Sequence, residues 1–192
     1  EWETEGNIMD RAGSRSSSSY AALANDSVVL ASCPVDQLSK GKHPEIVSVL
    51  KKDTFATESE HLRQISFIND NLVAVLIDGE DYPSRIILID VRELKDPFVS
   101  SSIDSPLKIV LIQPQSSWDR LAFETIDGSV HLVDKAFPDD EEDGNYVSTP
   151  LVKFPQLCSS FEVVKVDTTG VAESSTAFEY EESARNGWEE VG

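Results

Sequence analysis

Hairpin signals recur three times along this chain and limit the folds that it can adopt. Each signal is a pair of short apolar runs joined by turn-forming residues, at residues 20–32, 72–91 and 121–133. The first strands begin near residues 20, 72 and 121, at intervals of 52 and 49. A repeat of about that length with four strands is typical of a β-propeller blade.

The individual strands are predicted from Val-, Ile-, Leu- and Phe-rich runs. The clearest cover residues 62–68, 72–77, 85–91, 107–112, 121–126 and 130–133, and the weaker ones 7–10, 20–23, 28–32, 46–50, 151–154 and 161–166. A single helical turn is predicted at 34–38. Residues 72–77 and 86–89 are apolar without alternation, so both faces of these strands need cover. Stacked blades provide that cover, whereas a sandwich leaves one face wet and a parallel sheet needs intervening helices.

We therefore predict an all-β fold, an incomplete β-propeller of about three to four four-stranded blades. The propeller segment spans residues 1–166, with blades at roughly 6–50, 62–103 and 107–154 and a partial blade from 161. Residues 167–192 are expected to be an acidic loop or tail without fixed structure. Because propellers close with 4–8 blades, the piece is expected to leave a bare apolar face at each end and to be unstable or to associate when isolated.

Charge and cysteine content exclude several classes of function. Lys and Arg number 16 against 35 Asp and Glu, a net charge of −19. Surfaces for nucleic acid or anionic lipid need clustered Lys and Arg, which argues against both. No apolar run approaches 18 residues. Two cysteines are too few for a disulfide scaffold and indicate a reducing compartment. The chain begins without Met, so we interpret it as a piece of a longer polypeptide.

No catalytic, cofactor-binding or metal-binding residue is predicted from motifs. His43, His61 and His131 lack metal-ligand spacing, and Cys33 and Cys158 are interpreted as buried thiols. The sequence has no Gly-x-Ser-x-Gly elbow, phosphate loop or Gly-x-Gly-x-x-Gly. The three tryptophans, at positions 2, 118 and 188, are too scattered for a nucleobase-stacking platform.

Several polar residues and charged clusters can each be interpreted in two ways. Glu124, Asp127 and His131 are interpreted as a solvent-facing side chain, a turn former and a polar strand residue, although a carboxylate pair at glycosidase spacing stays open. The acidic run at 139–143 is a solvated loop or an interaction loop. One basic cluster is either solvated or a surface that steers an acidic partner or touches tRNA; it comprises Lys40, Lys42, His43, Lys51 and Lys52.

Several segments resemble one protein family in order and spacing. They are residues 1–7 (EWETEGN), 40–47 (KGKHPEIV), 62–70 (LRQISFIND), 84–90 (SRIILID), 108–111 (KIVL), 124–130 (ETIDGSV) and 153–157 (KFPQL). Together they resemble the largest subunit of the Elongator complex, the IKAP family, in its fungal form. The resemblance implies a place in the second of two N-terminal WD40-like propellers, which a long helical solenoid follows.

The resemblance also implies a function. Elongator installs carboxymethyl-type modifications (mcm5/ncm5) on wobble uridine 34 of tRNA, through a subunit that uses an iron–sulfur cluster, S-adenosylmethionine and acetyl-CoA. The largest subunit is a scaffold whose dimer contacts and basic tRNA-binding segment lie near its C-terminus, so no functional residue transfers to this chain. The partners implied are the second propeller subunit and the catalytic subunit.

We expect a non-catalytic scaffold segment without a cofactor, in the cytoplasm and with the nucleus as a second location. One alternative is an intracellular propeller module that binds partners of an unrelated complex. Another is a propeller enzyme with a carboxylate site in its central channel, which an acidic cluster at strand starts near the axis would favour. In this sequence the acidic residues concentrate in loops and in the tail.

Overall fold

The computed structural model describes residues 8–14, 18–34, 37, 39–79, 83–115, 120–135, 146–161, 163–166 and 177–180. Within these ranges the chain forms three four-stranded antiparallel sheets and one two-stranded sheet. Within each sheet the strands pair in sequence order, so that the first and fourth strands form its two edges. None of the described residues belongs to a helix long and apolar enough to cross a membrane.

The strands are divided evenly among the first three sheets. The first sheet contains β1 (Ile8–Gly13), β2 (Ser19–Ala24), β3 (Ser27–Ser32) and β4 (Glu45–Lys51). The second contains β5 (His61–Asn69), β6 (Leu72–Asp78), β7 (Ser84–Asp90) and β8 (Phe98–Ser105). The third contains β9 (Ile109–Gln115), β10 (Arg120–Thr125), β11 (Ser129–Lys135) and β12 (Tyr146–Lys153). The small sheet pairs β13 (Val163–Val166) with β14 (Ala177–Tyr180).

The second sheet is packed between the other two, which explains its unbroken apolar strands. In β6, Val73 and Val75 join a buried cluster with Leu23 of the first sheet. Ala74 and Leu76 join a second cluster, with side chains of the third sheet. Each fully buried Val or Leu contributes about 1.5–3 kcal/mol. The predicted all-β class and the cover on both strand faces are therefore confirmed.

The expectation of a bare apolar face at each end is wrong for the described residues. The outward face of the third sheet packs against Cys158 and Phe161, which form a third cluster with Ala122, Val130 and Leu132. The outward face of the first sheet is also shielded from solvent; its buried side chains include Ala22, Ala24, Val29 and Ala31. Whether the isolated chain is unstable or associates stays a prediction.

The strand predictions failed at the outer strands β8 and β12, whereas the predicted run at 46–50 matches the outer strand β4. β8 was not predicted and β12 begins five residues before the predicted run at 151–154, because both carry Ser, Thr or Asp on half-exposed surfaces. β14 lies inside the segment 167–192 that was expected to lack structure; the other residues of that segment lie outside the described ranges. At the predicted helical turn, the Gln37 amide donates to the Pro34 carbonyl at 2.8 Å. A short 3-10 helix at Lys52–Thr54 was not predicted.

The turn between β10 and β11 has three residues where the sequence indicated two. The Gly128 amide donates to the Thr125 carbonyl at 2.9 Å, and Gly128 has a φ of 82°. A type I turn followed by a left-handed residue is the usual three-residue hairpin loop. The predicted two-residue turn at Asn25–Asp26 is confirmed, since Ala24 pairs with Ser27.

Candidate interaction surfaces

The innermost strands hold neighbouring sheets together through a repeated irregularity. β1, β5 and β9 lie side by side across the three sheets. Near its start each contains a one-residue bulge, at Met9, Arg63 and Val110 respectively, and β5 has a second one at Ile68. Bulges redirect the side chains that follow them. The residues after the first two bulges, Asp10 and Gln64, point toward the next sheet.

These two side chains bond to the main chain of the following sheet. The Ile65 amide of β5 donates to Asp10 Oδ2 at 2.9 Å. Gln64 bonds twice to Ile112 of β9: its Nε2 donates to the carbonyl at 2.8 Å, and its Oε1 accepts from the amide at 3.0 Å. Edge groups that would otherwise lack partners are therefore satisfied across both sheet interfaces.

The third sheet also bonds to the main chain of the segment that follows it, but its polar side chain lies on β10 and not on β9. Leu111 follows its bulge and is apolar, while its cross-strand partner Glu124 is polar. In the first two sheets the corresponding partners, Leu23 and Leu76, are apolar. Glu124 is 0% exposed, and both of its carboxylate oxygens accept from the Cys158 amide at 3.1 Å. The interpretation of Glu124 as a solvent-facing side chain is therefore wrong.

Asp127 organises the turn that Gly128 completes. It accepts hydrogen bonds from the Thr125 hydroxyl at 2.7 Å and from the Ser129 amide at 3.2 Å, and it forms an ion pair with Lys153 at 2.7 Å. The hydrogen bond from Lys153, followed by those from Thr125 and Ser129, holds the pKa of Asp127 well below its usual range. Its predicted role as a turn former is confirmed.

His131 is half-buried and lies against an aromatic ring. It pairs with Phe123 across β10 and β11, with ring centroids 4.8 Å apart and planes 2° from parallel. Its Nδ1 is buried and has no hydrogen-bond partner in the structure. Burial lowers the pKa of His131, although the charge of Asp127 opposes that shift. The interpretation as a residue on the polar side of a strand is therefore wrong.

A shielded ion pair fixes the connection between the first two sheets. Arg85 of β7 bonds to both carboxylate oxygens of Glu60, through Nε at 2.6 Å and Nη2 at 2.8 Å. The same guanidinium donates to the Phe55 carbonyl, and the Thr57 amide donates to Glu60. Burial alone would raise the pKa of Glu60, but the bonds from Arg85 and Thr57 hold it below its ordinary value. The pair secures residues 52–60 against the second sheet.

The structure divides the predicted basic cluster into two groups. The turn carrying Lys40, Lys42 and His43 precedes β4, whereas Lys51 and Lys52 lie at the other end of that strand. A strand rises about 3.3 Å per residue, so the seven residues of β4 separate the groups by about 20 Å. Sequence proximity around one strand had suggested a single surface.

The remaining candidates carry no site within the described residues. His43 and His61 are exposed, and Cys33 and Cys158 are buried and form no disulfide among the described residues, in agreement with their interpretation as buried thiols. The described residues contain no group of three or more His, Cys, Asp or Glu side chains that could hold a metal ion. Trp2, Trp118, Trp188 and the acidic run 139–143 lie outside the described ranges.

Most of the exposed apolar side chains lie on the outermost strands and the connections, with Met9 of β1 as an exception. On the outer strands these are Ile46 and Val49 of β4, Phe98 and Val99 of β8, and Val147 and Val152 of β12. Each outer strand pairs on one side only among the described residues. The outer strands are therefore the surfaces that suit contacts with other proteins.

Comparisons with known proteins agree with this architecture. A family model described as the ELP1 N-terminal second beta-propeller matches residues 1–182. Elongator complex protein 1 of Saccharomyces cerevisiae is 36% identical over 170 residues, which are 88% of this chain and 12% of that protein. The crystal structure of Saccharomyces cerevisiae Sqt1 superposes with a TM-score of 0.60 at 14% identity, over 93% of this chain and 43% of that one, and shows the fold alone.

These matches confirm both the predicted incomplete β-propeller and the family resemblance found in the sequence. The face-to-face sheets with their bonded innermost strands are its blades. The family match covers nearly the whole of the described chain. The chain belongs to the family of the second N-terminal β-propeller of ELP1.

Proposed function

We propose that this chain is a non-catalytic scaffold segment of an Elongator largest subunit. The observation that carries the proposal is the way successive blades are joined. Apolar faces pack between blades, and Asp10 and Gln64 bond each innermost strand to the next one. A rigid stack of this kind holds its outer strands at fixed positions, which suits the placement of other subunits.

The scaffold would act in the complex that places mcm5- and ncm5-type groups on wobble uridine 34 of tRNA. Its partners would be the second propeller subunit and the catalytic subunit, while dimerisation and the main tRNA contact would use regions outside this chain. The relative's membership of Elongator and the shared propeller support this assignment. We propose a cytoplasmic location, with the nucleus as a second one; the two buried cysteines, which form no disulfide among the described residues, support it.

Mass spectrometry of tRNA nucleosides tests the proposal. Cells lacking the parent gene receive the wild-type gene or a double variant, Asp10→Ala with Gln64→Ala, which removes the bonds between innermost strands. We expect loss of the wobble modifications in parallel with loss of the catalytic subunit from the purified complex. Lys95→Ala, on an exposed loop, is the control and should change neither.

Two outcomes would contradict the scaffold function. Unchanged wobble uridines in cells without the gene would separate this family member from Elongator activity. Loss of modification in the double variant, with the complex fully assembled, would indicate a direct role in the reaction.

The divided basic groups allow a separate test of tRNA contact. Lys40→Glu with Lys42→Glu, and Lys51→Glu with Lys52→Glu, reverse charge at opposite ends of β4. For a scaffold segment we expect unchanged tRNA affinity and salt dependence in both full-length variants. A loss in one variant, with the salt slope reduced by about one per phosphate contact, would place tRNA at that end alone.

A further inference from the structure

The outer strand of the first blade combines a sheet edge that no other described strand covers with exposed apolar side chains. Among the described residues β4 pairs only with β3. Its central side chains Ile46 and Val49 are 41% and 51% exposed. Exposed strand edges accept additional strands, because their main-chain groups lack partners.

The other two outer strands carry features that discourage strand addition. β12 contains Pro150, which has no N–H to donate, and β8 contains the exposed charge of Asp104. Proline and charged side chains are common protections of sheet edges. β4 has neither between Ile46 and Leu50, because its charged residues Glu45 and Lys51 lie at the two ends of the strand. Its one-residue bulge at Val47 does not distinguish it, since β8 and β12 have bulges at Ser100 and Leu151. β4 is therefore the most open of the three edges.

The charge around β4 is opposite to that of the chain. Residues 39–52 contain four lysines and one carboxylate, Glu45, although the whole chain has a net charge of −19. Lys42 and Lys51 are exposed and form no ion pair among the described residues. Lys108 and Lys153, by contrast, are paired with aspartates of their own chain. Positive charge is thus available at both ends of β4.

We propose that β4 is a docking edge for an extended protein segment with an apolar centre and an acidic residue at each end. The segment would pair with the β4 main chain, cover Ile46 and Val49, and place its carboxylates near Lys42 and Lys51. The length of β4 requires about seven residues between the two charges. RNA would satisfy the lysines but not the apolar centre, so the observations favour a protein segment. The proposal rests on the scaffold function and names the chemistry of one partner.

Fluorescence anisotropy with the full-length protein tests the docking edge. The probe is a labelled nine-residue peptide with one aspartate at each end and seven alternating valine and threonine residues between them. We expect about tenfold weaker binding when Lys42→Glu and Lys51→Glu are combined, and weaker binding at high salt. Val49→Asp should weaken binding to a similar degree, because it puts a charge into the apolar centre.

Matched controls distinguish binding at β4 from nonspecific electrostatic attraction of the peptide. Val152→Asp on β12 should leave binding unchanged, and a peptide with lysines in place of the aspartates should not bind. No binding of the acidic peptide, or equal binding by the β4 variants, would overturn the docking edge. Binding of a nine-nucleotide single-stranded RNA in place of the peptide would also overturn it. If the docking edge fails while the β4 variants still assemble and support wobble modification, the scaffold function stands independently of it.

Discussion

The first and third blades have the same strand order but differ at one buried pair that faces the following unit. In the first blade Leu23 pairs with Val28, whereas in the third Glu124 pairs with Val130. The first blade instead places its polar group on β1, where Asp10 bonds to the next blade. The comparison shows that either strand can supply the polar side chain, provided that the neighbouring main chain is satisfied.

The two blades also differ on the other face of the central hairpin, where again only the third blade carries a polar side chain. Ala22 pairs with Val29 in the first blade, and the corresponding pair in the third is Phe123 with His131. The aromatic pair faces the second blade, because Phe123 belongs to the buried cluster between them. The third blade thus carries a polar group on each face of its central hairpin, and the first blade carries none at these positions.

The largest effect is expected when the first blade receives the third blade's residue. Leu23→Glu buries a carboxylate in an apolar cluster, directly across from the Asp10 side chain. We expect a loss of about 4 kcal/mol or more, because both desolvation and repulsion disfavour the second charge. Hydrogen exchange of peptides covering residues 19–32 in the full-length protein measures the loss. Leu23→Met is the control, with an expected cost below about 1.5 kcal/mol; wild-type protection in Leu23→Glu would refute the role given to this pair.

Glycines of the two blades give the next contrast. Gly128 and Gly41 both have positive φ, of 82° and 73°. A Cβ at Gly128 would collide with the Phe154 carbonyl oxygen, whereas one at Gly41 would meet nothing within 4 Å. We expect Gly128→Ala to cost about 3 kcal/mol or more and Gly41→Ala about 1–2 kcal/mol. Hydrogen-exchange rates across β11 and β4 would measure the two losses of stability. Equal losses would show that the contact with Phe154 does not determine the cost at Gly128.

Sequence patterns were sufficient for the central strands and for β4, and insufficient for the outer strands β8 and β12. β6 was predicted because it is buried on both faces, which leaves an unbroken apolar run. β8 was missed because its residues alternate between a blade and solvent, and four serines weaken the pattern. The family resemblance came from segments of the central strands, such as 84–90, and also from 40–47 and 153–157, which reach the outer strands β4 and β12. The hydropathy pattern therefore indicated which strands are buried on both faces, and it indicated the number of strands only indirectly.

The site residues depended on pairing, which the sequence does not state. Glu124 is followed by Thr125 and a hairpin turn, a position that a surface residue commonly takes, and its burial depends on the later segment that contains Cys158. The lysines around β4 are close in sequence yet lie at opposite ends of an extended strand. A recurring polar residue on β1 and β5, at Asp10 and Gln64, was the available signal for the bonds between blades.

In the second blade the polar side chain that bonds to the next sheet lies on the first strand. Moving the polar residue of the third blade from β10 to β9 tests whether either strand can carry it. Glu124→Leu leaves the Cys158 amide without its carboxylate and should cost about 1–3 kcal/mol. Adding Leu111→Gln recreates the Gln64–Leu76 pair and should recover about 1 kcal/mol of that loss. Hydrogen exchange at residues 154–161 is the measurement. If the double variant is no more stable than Glu124→Leu, the polar group cannot change strands.

The smallest expected effect is a pH dependence confined to the third blade. The pKa of His131 in the folded protein lies below its ordinary value of 6.5, so the unfolded chain binds the proton at higher pH. Stability is therefore full above about pH 6.5 and falls as the pH decreases through the folded pKa. Hydrogen exchange across β10 and β11 at pH 7.5 and 5.5, corrected for intrinsic rates, should show this loss. His131→Val, the residue type at the matching Val29, should remove it. If stability still falls at low pH in that variant, another titratable group causes the loss. The His131–Phe123 pair would then contribute packing only.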